Sequence, residues 1–478
     1  MRRRWQAFLV LSALLSACAG GGSGQGTDAS QDAADGRTDA AAPLDVPPDV
    51  PPDVPGDLPR DPHDTPMDLG VDVGLKDTAV PDADTGSDAA PEVLEIPEPW
   101  RSALYPEDWT PAYTGEGGHF LHDYSYAGYH NGEVPLPTLA DAAIFDVTDF
   151  GADPTGVADS NAAVQAAIDA AEVDGGIVFF PAGLYRCADL LTVSASGVVI
   201  RGEGPALSRV YFTRFEGPEG IRHLTFAGKT VGGTERLLVA DGQPRDITVA
   251  VEDATGLAPG DDVAVGHVIT DEFVAEHGMT GTWQVFNGKW QVLARREVVA
   301  VDTSADPHLV TLDVPLRSPL LLRDNASLRP DGGYLSEVGV EHLGLANAIA
   351  WDDAWSNERI HVLSLRRCKD AWVRDVASFP SPAAPTEGPG AGAHLQSGGI
   401  HVAEAKRVTV TDCVMEEVQN RGGGGCGYLF EIQISNEILT TGCVGRHGRH
   451  NFIQNFGFGV SGCVWSKCLS EQGEAINI

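Results

Sequence analysis

The stretch from Phe145 to Cys187 constrains the fold of this chain more than any other. Phe145-Asp146-Val147-Thr148-Asp149-Phe150 reads as a short strand, and residues 151–156 as a Gly/Pro turn. Asp159 and Ser160 offer capping oxygens to a helix in which Val164, Ile168 and Ala171 share one face, and Asp174-Gly175-Gly176 stops it. Ile177-Val178-Phe179-Phe180-Pro181 follows, an apolar run suited to a strand buried on both faces.

The order strand, capped helix, Gly-Gly, buried strand, then Pro-Ala-Gly-Leu-Tyr over residues 181–185 resembles the opening of the pectate-lyase-like superfamily, with its rhamnogalacturonase and epimerase relatives. The likeness spans residues 144–204. It implies an all-β protein, a single-stranded right-handed parallel β-helix whose first coil is plugged by an N-terminal capping helix. The matching residues are architectural, and the resemblance carries no catalytic role to them.

The C-terminal third, residues 334–478, points to a solenoid independently. Strand-like runs recur at 338–343, 372–376, 408–413, 438–443 and 458–463, and Cys413, Cys443 and Cys463 predict one stacked position. The seven cysteines after Cys18 are odd in number, so buried free thiols are preferred to a disulfide framework, with one disulfide through Cys468 left as the alternative. Between residues 228 and 333 the runs at 247–251, 263–265, 298–301 and 309–314 alternate and turn like a small antiparallel β subdomain inserted on one rim. Phe273, His277, Trp283, Phe286 and Trp290 lie in its middle; sugar stacking is one use for them, and the insert's own core is the favoured one. The aromatic run from Trp109 to His130 is expected to strap the entry segment onto the solenoid flank rather than to line a cleft.

Ahead of the fold lies an address. Arg2, Arg3 and Arg4 precede an apolar run to Leu15, too short to span a bilayer but suited to a signal peptide. Leu15-Ser16-Ala17-Cys18 resembles the bacterial lipobox that ends a lipoprotein signal segment of residues 1–18, which implies lipidation at Cys18, removal of the leader just before that cysteine, and a lipid anchor in the cell envelope, at the outer membrane or cell surface. Residues 19–91, rich in Asp, Pro and Ala, cannot bury enough apolar surface to offset their ordering entropy and are expected to form a disordered tether. Its reach lies between roughly 50 and 220 Å. With +3 on the leader and −13 on the tether, −26 of the total −36 falls on residues 92–478. That charge excludes a nucleic-acid partner and repels a polyanionic glycan unless a local basic patch or bound cations intervene.

One segment concentrates chemistry. Arg446, His447, Arg449, His450 and Asn451 lie within six residues just past the Cys443 run. Histidines exchange protons near neutral pH, arginines neutralise a carboxylate or oxyanion, and an asparagine orients a hydroxyl. These are the functions a uronate β-elimination needs. Substrate-binding candidates are Glu416, Glu417 and Arg421, one coil earlier, and Trp351, Asp352 and Asp353, paired carboxylates between indoles. A structural turn and solvated surface charge are the competing readings. His394 and His401 flank a Gly-rich loop and are uninformative singly. The polygalacturonase set of Asn-Thr-Asp, Gly-His-Gly and Arg-Ile-Lys is missing, which counts against inverting hydrolysis of that kind.

These residues favour a surface-tethered, monomeric, polysaccharide-cleaving protein, a lyase before a hydrolase; a non-catalytic glycan-binding or adhesin-like solenoid is the alternative. No metal ligand set is readable, yet the acidity predicts that Ca²⁺ assists any action on a uronate polymer. The alternation before Ile478 reads as the start of a further strand, and the array is expected to continue beyond it.

Overall fold

The computed structural model describes residues 101–214, 222–348, 359–421 and 425–474. Cys18, the leader, the Asp/Pro-rich stretch, Trp351, Asp352, Asp353 and the last four residues lie outside them.

The chain winds through three parallel sheets in a constant order, as a right-handed parallel β-helix. The first sheet stacks Ile144–Asp146, Gly176–Phe180, Val198–Gly202, the first part of Leu335–Ala346 and of Cys368–Ser378, Lys406–Thr411, Asn436–Thr441 and Val464–Ser466. The second stacks Thr155–Asp159, Gly183–Cys187, Ser208–Phe212, the ends of the same two long strands, Val414–Glu416, Val444–Arg446 and Leu469–Glu471. The third stacks Leu191–Val193, Arg222–Ala227, His361–Arg366, Gly398–Ala403, Tyr428–Gln433 and His450–Asn455.

Register turns sequence into columns. Val178, Ile200, Val340, Val373 and Val410 pair in succession and fill the interior, where burial of each aliphatic side chain contributes about 1.5–3 kcal/mol. Between the first and second sheets the backbone turns through the left-handed region at His342, Asp375, Asp412, Gly442 and Lys467, the residues just past paired positions. That conformation disfavours most side chains, so the corner geometry imposes it.

The helix α1, Asn161–Ala171, buries Val164, Ala167, Ile168 and Ala171 in the core of the first coils. Its cap differs from expectation. Ser160 occupies the cap position, but its hydroxyl accepts from Asp153 N at 2.9 Å, and the Asp159 carboxylate takes the Asn161 N–H at 3.2 Å.

The insert is an antiparallel six-stranded sheet ordered Thr248–Val251, His308–Leu312, Trp290–Asp302, Asp262–Val268, Ser327–Pro330 and Arg236–Leu237, with its own core around Val249, Val263, Val265, Leu312 and Leu328. Ion pairs fasten it to the solenoid: Arg407 reaches Glu297 at 3.0 Å and Asp313 at 3.1 Å, and Lys406 reaches Asp262 at 2.8 Å. Three of its aromatics are not its core, whereas Trp290 stays within the insert, against Gly266 and under Arg329. Phe273, Trp283 and Phe286 pack around Phe458 of the last coil, with ring centroids 5.7, 4.9 and 5.3 Å away, and form a seam between the two. Phe458 therefore leaves the ladder, and the strand expected at 458–463 falls instead at Val464–Ser466. The cysteine column shifts with it. Cys413, Cys443 and Cys468 precede paired positions and stack, whereas Cys463 stands beside Ile438 in the first sheet. All seven described cysteines are free.

Upstream, Tyr129 straps the entry segment to the first sheet. Its amide donates to Thr409 Oγ1 at 2.9 Å, and its ring meets the fully buried Trp372 edge-on at 5.5 Å.

Candidate active site

The outer face of the third sheet gathers ionisable groups from strands far apart in sequence. His361 pairs across the ladder with Arg222 on one side and Gly398 on the other, followed by Tyr428 and His450. Three residues along, Ser364, His401, Glu431 and Ile453 form a second row. Gly398 lets the rows meet: a Cβ there would lie 2.5 Å from His361 Cδ2, so only glycine leaves the imidazole space to lie over that strand. The ring then stacks on His401 at 4.6 Å and 23°, and brings Nε2 to 2.7 Å from Glu431 Oε2.

His361, His401 and Glu431 are fully buried, and their electrostatics follow from that. Burial pulls the His361 pKa down and outweighs the hydrogen bond and charge of Glu431, so the ring is neutral. Burial likewise holds His401 well below its ordinary value. For Glu431 burial acts upward, but Arg359, whose Nη1 is 3.6 Å away, and His401 and His361, which take up their protons before the carboxylate does as pH falls, outweigh it and keep the carboxyl ionised far below the usual range. The His401 tautomer is set by its partners: Nδ1 accepts from Arg222 Nε at 3.3 Å and contacts Ser364 Oγ at 3.0 Å, which leaves Nε2–H to donate to Gln433 Oε1 at 3.0 Å.

Apart from their mutual 2.7 Å contact, the ring nitrogens of His361 and the oxygens of Glu431 are buried without a hydrogen-bond partner among the described residues. Such atoms cost about 1–3 kcal/mol each and are retained where a ligand or a reaction uses them. The surround is basic. Desolvation, with Arg359 and Arg366 nearby, brings Arg222 down to about 10. Tyr428 is raised by burial and stands within the fields of Arg449, Glu431 and Arg359.

The sequence-predicted cluster is split by a corner. Arg446 and His447 belong to the second sheet side: Arg446 bridges Glu416 and Glu471, and His447 Nε2 lies 3.5 Å from Glu417. Arg449 and His450 turn onto the third sheet, where the His450 ring meets Tyr428 at 5.1 Å. Asn451 points inward, fully buried; its side chain accepts from Gly448 N at 2.9 Å and donates to Ser470 Oγ and Glu471 O at 3.0 and 2.9 Å. That corrects its reading as a substrate-orienting group, since its amide is consumed in holding the corner. Glu416 is likewise committed to a ladder with Arg446, and Arg421 pairs with Glu474 at 2.9 Å. Trp351, Asp352 and Asp353 lie outside the described residues. Sequence reasoning missed His361, Glu431, Tyr428, Arg222 and Arg359 and passed over His401; only the strand register, once known, aligns them. Among the described residues no three His, Cys, Asp or Glu side chains are placed to hold a metal ion, so no step is assigned to Ca²⁺.

Residues 144–235 match the family model described as rhamnogalacturonase A/epimerase, pectate lyase-like. The chain is 31% identical over 180 residues to mannuronan C5-epimerase AlgE1 of Azotobacter vinelandii, and 34% identical over 181 residues to AlgE5 of the same organism. Each alignment covers 36% of this chain but only 13% and 18% of the relatives. The tailspike protein gp49 from Pseudomonas phage LKA1 superposes with a TM-score of 0.47 at 15% identity, over 70% of this chain and 55% of that one.

Proposed function

With a carbohydrate-active family match across the first coils as premise, we propose that this protein acts on a uronate-containing polysaccharide at the outer face of the third sheet, by removing the proton beside the carboxylate. The unsatisfied His361–Glu431 pair carries the reading. With Nε2–H directed at the ionised Glu431, the neutral His361 keeps a lone pair on Nδ1 and serves as base. Arg359 and Arg222 are the groups to offset the uronate charge and the negative charge that grows on its carboxylate. The local basic patch answers the repulsion that −26 on residues 92–478 would otherwise impose.

In β-elimination the C5–H electron pair forms the ring double bond, the C4–O bond breaks, and the leaving oxygen takes a proton from the Tyr428 hydroxyl. Epimerisation, the activity named for the Azotobacter relatives, shares the first step and returns a proton to the opposite face. Elimination is the primary assignment because Tyr428, two strands along the same row as His361, offers a proton. Mannuronan and other uronate polymers are the substrates to assay. Ultraviolet absorbance of an unsaturated uronate marks elimination, solvent deuterium at C5 without chain cleavage marks epimerisation, and new reducing ends without absorbance mark hydrolysis. No change in any polymer would overturn the enzymatic reading.

Complete burial of His361, His401 and Glu431 favours a second reading, glycan binding without turnover. Binding that survives His361→Gln, with a silent wild type, would select it. Export and lipid anchoring through Cys18 belong to the same proposal. Metabolic labelling with a radioactive fatty acid, lost in Cys18→Ser, tests the anchor.

A further inference from the structure

We propose that the cavity between the entry segment and the insert is a second ligand site, shaped for a single sugar unit that carries one carboxylate. It encloses about 340 Å³, lined by His122, Asp123, Tyr126, Arg245, Pro315 and Arg317 among others. That volume is at the small end of ligand pockets. It shares no lining residue with the third-sheet face.

The two arginines differ in what they have left to give. Arg317 holds Glu437, which Arg296 also approaches to 3.5 Å, with two hydrogen bonds at 3.2 and 2.8 Å, and donates to Asp123 O at 2.9 Å, so its donors are committed. Arg245 uses Nη1 alone, toward Tyr113 O at 3.2 Å and Thr114 Oγ1 at 3.0 Å, and has no carboxylate partner among the described residues. Its plane is steadied over Phe120, 4.6 Å from the ring centroid. A preorganised guanidinium with donors to spare beside a cavity is the group that grips a carboxylate in two-pronged fashion. The Asp123 carboxylate accepts from Ser125 N at 2.9 Å, a turn contact that draws it toward its own loop.

The remaining walls fit the rest of a sugar. Pro315 and the Tyr126 ring offer flat apolar surfaces to C–H groups, and His122 offers a hydrogen bond to a hydroxyl. Burial first, then Arg317 and Arg245, lower the His122 pKa against the pull of the Arg317 backbone and of Glu437, so it is neutral, with one ring nitrogen turned to that backbone and the other left to accept. An anion bound between these arginines reverses their effect and raises it.

The inference does not rest on the third-sheet chemistry, and loss of turnover in His361→Gln leaves it standing. The test is calorimetric titration of the full chain with glucuronate, mannuronate, galacturonate, neutral galactose and a short oligouronide, alongside NMR titration of His122. Acid sugars are expected to bind while galactose does not, and to raise the His122 midpoint. Arg245→Gln should weaken binding at least about tenfold, Arg245→Lys less, and His361→Gln not at all. Binding of the monosaccharides that is weakened in Arg245→Gln points to a free acid sugar, and binding of the oligomer alone that is weakened in the same way points to a polymer end; either supports the site, whereas oligomer binding indifferent to Arg245 belongs to the third-sheet face and overturns it. Equal binding of galactose, no binding by any arm, or an unchanged affinity in a folded Arg245→Gln would overturn it.

Discussion

The imidazole of His361 reaches Glu431 across an intervening strand, Nε2 to Oε2 at 2.7 Å, because Gly398 beneath it has no side chain. The pair is therefore controlled from a residue that touches no substrate. Gly398→Ala is expected to displace the ring and lower kcat on a responsive uronate polymer by about 100-fold, as His361→Gln does directly. Overpacking should cost about 1–3 kcal/mol of stability. Wild-type turnover in Gly398→Ala would remove His361 as the base.

The corner between Arg446 and Arg449 separates two histidines only three residues apart. His450→Ala, beside Tyr428, should reduce turnover by about tenfold or more, whereas His447→Ala, beside Glu417, should leave it within about twofold. Equal losses in both variants would place the reacting groups at the corner and not on the third sheet.

Acid should destabilise this protein through buried histidines. His223 is lowered by burial to about 4; its Nε2–H donates to Arg214 O at 2.7 Å, and its Nδ1 accepts from Asn347 Nδ2 at 2.9 Å. A depressed folded pKa means that the stabilisation is complete above the unfolded value near 6.5 and is lost as pH falls toward 4, to a total of about 3 kcal/mol. His394, also lowered by burial to about 4, acts in the same window. Thermal melts across that range should show a falling Tm, with a shallower slope in His223→Gln. A pH-independent Tm between 6.5 and 4 would contradict the assignment.

Trp372 is fully buried on the outer side of the first sheet, under Tyr129 and over Gly339, where a Cβ would meet its ring at 2.4 Å. Trp372→Ala is expected to cost about 3–5 kcal/mol and to expose residues 120–132 to limited proteolysis. Gly339→Ala should loosen the same strap. Protease resistance equal to wild type in both would show that the strap is held elsewhere.

How much of this was legible in the sequence depends on the range of the interaction. The capped helix, the double glycine and the buried strand after it are local, and residues 144–187 specify them by spacing alone. The alternating runs between 247 and 314 are likewise local, and they are strands of one antiparallel sheet. Phe273, Trp283 and Phe286 were misread as a core because their partner, Phe458, lies more than 170 residues away. The proximity of His447 to His450 was equally misleading: a solenoid corner sends neighbours in sequence to different sheets. His361, His401 and Glu431 are separated by 40 and 30 residues, and loop lengths that obey no fixed period carry the chain between them. Residue chemistry and local spacing determined the coil and its plug; which side chains share a face was decided by strand register, a property of the stacked backbone hydrogen bonds that no single coil contains.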